Sequence, residues 1–269
     1  MTLDHLFLYL GILGYLIGAF CYLLHLVGRT RRLGAIATGA TLAGFAAHTL
    51  SHLLRLYTLG RAAAVNPSAS LSLFAWAIVL IYLVVEFRYQ SRVMGAFVLP
   101  LAILAASGAA AVPERMAALP PRLQGLGLSV HVALAIFGNA AFALTFCVAL
   151  MYLWQERQLK SRHPGRVRLP SLELLDDVGV KSVMIGFPLL TLALISGSAW
   201  AEYARGSFLT FRHREVWSIV SWFIYAGLLY FRVSAGWRGR KAAVLAILGF
   251  CFVLFTFVGL KILRDGSLL

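Results

Sequence analysis

"LGLSVHVALAIFGNAAFALTFCVALMYLW", residues 126–154, contains no Asp, Glu, Lys or Arg. A bilayer's hydrocarbon is about 30 Å thick and about 20 residues of helix cross it, so this stretch exceeds one passage. It predicts a spanning helix that tilts or protrudes, with "QERQLKSR" continuing it into water. Working outward, seven further apolar runs have spanning length, near residues 6–27, 33–54, 71–87, 93–111, 183–203, 215–231 and 241–263. Composition agrees: 61% hydrophobic residues, 13% charged and a mean hydropathy of +0.84 leave too little polar surface to cover a soluble domain of 269 residues.

The expectation is an all-α polytopic integral membrane protein with about eight transmembrane helices, forming one membrane domain over residues 1–269. The first run has no basic flank before it and no small-residue cleavage site after it, so it reads as a retained helix and not a signal peptide. Fifteen of the 24 Lys and Arg fall on one side if the N-terminus is external, which predicts both termini outside. The net charge of +14 then acts mainly as an anchor to anionic lipid at the inner face, with no nucleic-acid partner expected.

The longest polar stretches are a basic inner loop over 155–182, an outer loop over 112–125 and a second outer loop over 204–215. Cys21, Cys147 and Cys251 all fall in predicted spans and form no CxxC pair, so they read as packing residues. Phosphate loops, HExxH and GxSxG are absent from the sequence, so any chemistry rests on polar groups within or beside the membrane.

Most of those groups are histidines. His48 and His52 share a helix face at i, i+4 in the outer half of the second span, with Arg55 a turn further on. His131 lies in the first turns of the fifth span, and His213 lies in the outer loop "GSFLTFRHREVW" (206–217). An intramembrane ring nitrogen is costly unless bonded, so each reads as a ligand or as half of an interhelical hydrogen bond. His52 can also snorkel to the interface with Arg55. Glu86 and Arg88, at an inner helix end, read as snorkelling.

An imidazole at the edge of an apolar bundle suits axial ligation of haem iron, here by His131 and His48. Phe208, Phe211, Trp200 and Trp217 would wall the porphyrin, with Arg205, Arg212 and Arg214 near its propionates. The same aromatics equally suit an interfacial belt. On residues alone, haem is one option among several.

The order of motifs resembles the cytochrome c assembly superfamily of haem-handling membrane proteins, the group of CcsA, HemX and YpjD-type chains. "GFPLLTLALISGSAWA" (186–201), "GSFLTFRHREVWSIVSWFIYAGLLYFR" (206–232) and "GWRGRKAAVLAILGFCFVLFTFVGL" (236–260) carry it. So do "HTLSHLLRLYTLGRAAAVNPSASLSLFAW" (48–76) and "GLSVHVALAIFGNAAFAL" (127–144).

The resemblance implies an external tryptophan-rich loop, WGxYWxWDPKExW, that cradles haem between axial histidines. His131 matches the histidine preceding that loop, and Gly206, Ser207, Glu215 and Trp217 match the loop itself. Arg205, Leu209 and Phe211 replace tryptophans, Arg212 replaces the Asp and His213 the Pro. Tyr230 stands where the synthase branch has a histidine. His213 or His48 is the candidate replacement for that missing ligand.

Three readings follow. The first is a haem holder at the outer leaflet in cytochrome c biogenesis, in a bacterial inner membrane, acting with another membrane subunit. The second is a HemX-like accessory protein without haem, meeting a membrane subunit or a haem-biosynthesis enzyme through the basic 155–182 loop. A small-solute transporter ranks last, because no internal repeat or broken helix pair marks a path. No catalytic residue set is visible, so binding is expected and not turnover.

Overall fold

The computed structural model describes residues 2–28, 30–59, 67–112, 126–161, 167, 169–206 and 213–255. These form eight helices and, among the described residues, no strand: α1 (Leu3–Gly28), α2 (Arg31–Leu59), α3 (Pro67–Tyr89), α4 (Gly95–Ala111), α5 (Leu126–Lys160), α6 (Leu172–Arg205), α7 (His213–Ser234) and α8 (Arg240–Leu254). Seven are long and apolar enough to cross a membrane, while α8 has 15 described residues. Exposed Leu13, Phe20, Leu104 and Ile195 give these helices the apolar outer surface that lipid requires. The chain is an all-α, polytopic integral membrane protein.

Helix boundaries follow local chemistry. Pro67 opens α3 at the position where its missing N–H costs nothing. Helix α6 begins at Leu172, well before the predicted run at 183. The Ser171 hydroxyl accepts the Leu174 N–H at 3.3 Å, and Glu173, Asp176 and Asp177 suit the positive end of the helix. With α5 helical to Lys160, much of the predicted 155–182 loop is helix.

The helices sort into two compact units, one of Met1–Ala117 with Leu153–Leu175, the other of Ala118–Tyr152 with Asp176–Leu269. In the first, α1 and α2 meet through small residues. A methyl added at Gly14 would lie 2.5 Å from Gly44 Cα, so only glycine permits this approach. Tyr15, Tyr22, Tyr82, Ile78, Met94 and Leu99 are buried in the same unit.

In the second unit, Phe142 of α5 stacks on Tyr225 of α7, centroids 3.5 Å apart, and Phe146 meets Phe250 of α8. Asp176 takes two bonds from Arg232, at 2.9 and 2.6 Å, and a third from the Gly239 N–H at 3.2 Å. The "GWRGR" stretch is therefore the turn that ties α7 and α8 to the start of α6. Trp237, in this turn, stacks on Phe231 near the end of α7.

Candidate functional site

His131 sits near the start of α5, in the second unit, and its ring lies against α6. Nδ1 is 2.7 Å from the carbonyl oxygen of Ala193. A carbonyl only accepts, so Nδ1 is the donor in this bond and Nε2 is the nitrogen left for another partner. The ring fits because Gly197 has no side chain: a methyl there would lie 2.6 Å from Cε1 and 2.9 Å from Nδ1. A metal-ligating histidine characteristically has this arrangement, one nitrogen fixed by a backbone acceptor and the other presented to the metal. An oriented imidazole with one nitrogen left for a ligand is what a haem iron would need, so this residue fits the group.

His48, in the first unit, stands differently. Its side chain is fully buried, with Nδ1 3.2 Å from the Tyr15 hydroxyl and Nε2 2.9 Å from the Ser72 hydroxyl. Coordination through either nitrogen would displace one of these bonds. The predicted shared face with His52 is present, the rings stacking 4.9 Å apart. Trp76 meets His52 edge-on and donates from Nε1 to Thr49 at 2.8 Å. His52 Nε2 is buried with no hydrogen-bond partner. Arg55 does not snorkel with it: the side chain is buried, and Nε lies 3.8 Å from Asp4 Oδ2.

The outer-loop residues divide. Phe208, Phe211 and Arg212 lie outside the described residues. His213 and Arg214 open α7, which places their backbones at the start of that helix. Trp217 is half-buried and packs on Phe252 and Phe255, centroids 5.9 and 5.0 Å away.

A third cluster was not foreseen. Glu86 does not snorkel; it is buried and accepts from Tyr22 at 2.6 Å, from Thr38 at 2.5 Å and from Tyr82. Arg92 Nε stands 3.9 Å from Oε1, the oxygen that accepts from Thr38, while Tyr22 and Tyr82 donate to Oε2. The i, i+4 spacing of Tyr82 and Glu86 was the available signal; the contributions of Tyr22 and Thr38 come from other helices and have no local signature. Among the described residues, no group of three His, Cys, Asp or Glu side chains could hold a metal ion.

Eight helices among the described residues, seven of them long and apolar enough to cross a membrane, define a polytopic α-helical membrane protein. The family described as "Cytochrome C assembly protein" matches residues 64–268, and the chain belongs to it. "Cytochrome c biogenesis protein CcsA" of Prochlorococcus marinus (strain MIT 9301) is 32% identical over 243 residues, 81% of this chain and 79% of that protein. The protein of the same name from Pyropia yezoensis is 28% identical over 275 residues, 87% of this chain and 86% of its own length. That from Synechococcus sp. (strain CC9902) is 29% identical, with 81% of each chain covered.

Proposed function

We propose that this protein holds haem at the outer face of a bacterial cytoplasmic membrane during cytochrome c biogenesis, with His131 as an axial ligand. Its CcsA relatives, named for cytochrome c biogenesis, support the process. The observation carrying the ligand is the His131 Nδ1 bond to the Ala193 carbonyl, which leaves Nε2 for another partner. Haem, when bound, would supply an iron that accepts nitrogen ligands. His213, at the start of α7 in the same unit, is the favoured second ligand. His48 ranks behind it, because both of its nitrogens are already bonded. Arg212 and Arg214 flank His213 in sequence and are assigned to the propionates; Phe208, Phe211 and Trp217 are assigned to the walls.

The protein's own part is to hold and orient this ligand. Gly197 admits the ring, Ala193 fixes its proton, and apolar helices exclude water. A further membrane subunit completes the assembly in this reading. Replacing His131 with Gly and adding free imidazole tests the assignment. Hemin uptake should fall in the variant and return with imidazole; undiminished uptake by the variant alone removes His131 as ligand.

The saturated bonding of His48 favours one second reading, a HemX-like accessory protein without haem. Its partner, a membrane subunit or a haem-biosynthesis enzyme, would meet the basic segment between α5 and α6.

A further inference from the structure

A cavity of about 520 Å³ opens at one end of the first unit, where α1 ends, α2 begins and α3 gives way to α4. His25, Arg31, Tyr89, Gln90, Ser91 and Arg92 form its polar lining. Val93, Leu169, Pro170 and Leu174 supply an apolar side. Among the described residues, no acidic side chain lines it.

Its cations are arranged. Arg92 meets Glu86 through Nε, so its terminal nitrogens are the donors available to a pocket ligand. Glu86 is itself fixed by Tyr22, Thr38 and Tyr82, which makes it a buried anchor for that arginine. His25 Nδ1 lies 3.1 Å from the Thr30 carbonyl, so the ring is oriented too. Both side chains pass over Gly34, where a methyl would lie 2.9 Å from Arg92 Cδ and 3.2 Å from His25 Cε1. Arg31 is exposed and, among the described residues, has no carboxylate partner. Gln90, on the rim, is the one non-glycine residue among those described with positive φ, at 54°. Strained backbone of this kind clusters at ligand sites.

From this geometry we propose that the cavity binds a phosphate group, with Arg31 and Arg92 as its donors. Arginine suits a phosphate because its planar fork matches the oxygen geometry. The apolar side and the position at the helix ends fit the phosphate of an anionic lipid headgroup, and free phosphate has the same recognition chemistry. The positive-inside rule puts this end in the cytoplasm. The site is separate from His131 and stands or falls independently of haem.

The test is native mass spectrometry of the delipidated full-length protein, incubated with phosphatidylglycerol, with phosphatidylcholine or with sodium phosphate. The wild type should retain phosphatidylglycerol in preference to phosphatidylcholine. Arg31→Gln should lower that retention about fivefold, the worth of one arginine near an anionic surface. Arg31→Gln/Arg92→Gln should lower it further, and Arg238→Gln, an exposed arginine elsewhere, should change nothing. Displacement of the lipid by millimolar phosphate assigns the site to any phosphate; resistance to it assigns the site to the lipid. Equal retention of phosphatidylcholine, an unaffected Arg31→Gln, or an equal loss in Arg238→Gln overturns the proposal. Arg31 is exposed, so its variant tests the site even if the double variant fails to fold.

Discussion

The His131 ring crowds Gly197 of α6 so closely that a methyl there would lie 2.6 Å from its Cε1. Gly197→Ala therefore drives the ring off its Ala193 bond, and overpacking of this sort costs about 1–3 kcal/mol. The expected outcome is a weakened reduced-minus-oxidised haem spectrum in protein that still folds. Gly39→Ala, where nothing lies within 4 Å, should leave the spectrum unchanged.

Glu86 accepts three hydroxyl hydrogen bonds out of water's reach. Tyr82→Phe should cost about 0.5–1.5 kcal/mol as one bond is lost. Glu86→Leu strands the buried Tyr82 hydroxyl and leaves Tyr22 and Thr38 only their bonds to Thr38 and to the Gly34 carbonyl, so it should cost more, about 1–3 kcal/mol for the stranded group. Melting temperatures in one detergent, compared among wild type and both variants, read this order. Equal melting in all three would return Glu86 to a snorkelling surface role.

Two glycines share left-handed backbone but not surroundings. Gly239, at φ 67°, would place a methyl 2.6 Å from the Tyr152 hydroxyl, while Gly206, at φ 72°, has nothing within 4 Å. Gly206→Ala should cost about 1–2 kcal/mol from backbone strain alone. Gly239→Ala adds the collision and disturbs the Asp176 bond to its N–H, so its melting temperature should fall further.

The distribution of Lys and Arg predicts the orientation. A reporter active only outside the cytoplasm, fused after Leu269, should give signal, and a cytoplasmic reporter there should stay silent. The reverse pattern would invert the inner and outer assignments, including that of the phosphate cavity.

Sequence patterning made the helices legible because lipid demands long apolar runs with no compensating loops. The first turns of α6 escaped it, since Glu173, Asp176 and Asp177 read as loop until Arg232 and Lys181 are seen to pair with Asp176 and Asp177. For the candidate site, the i, i+4 spacing of His48 and His52 was visible, but Tyr15 and Ser72, which engage His48, come from other helices. Likewise His131 stood out as a polar residue in an apolar run, while Gly197, which makes room for it, looked like any glycine in a membrane helix. Glu86 and Arg55 misled for one physical reason: a charge near a helix end can reach water or reach a buried partner, and sequence spacing does not distinguish these.

The most direct test of haem binding through His131 is the visible spectrum of the detergent-purified protein, as isolated and after dithionite, beside His131→Ala, His213→Ala and His48→Ala. A Soret band with sharp reduced α and β bands is expected, lost in His131→Ala, weakened in His213→Ala and little changed in His48→Ala. A protein that is colourless and takes up no added hemin, or a spectrum indifferent to His131, would contradict haem binding through His131.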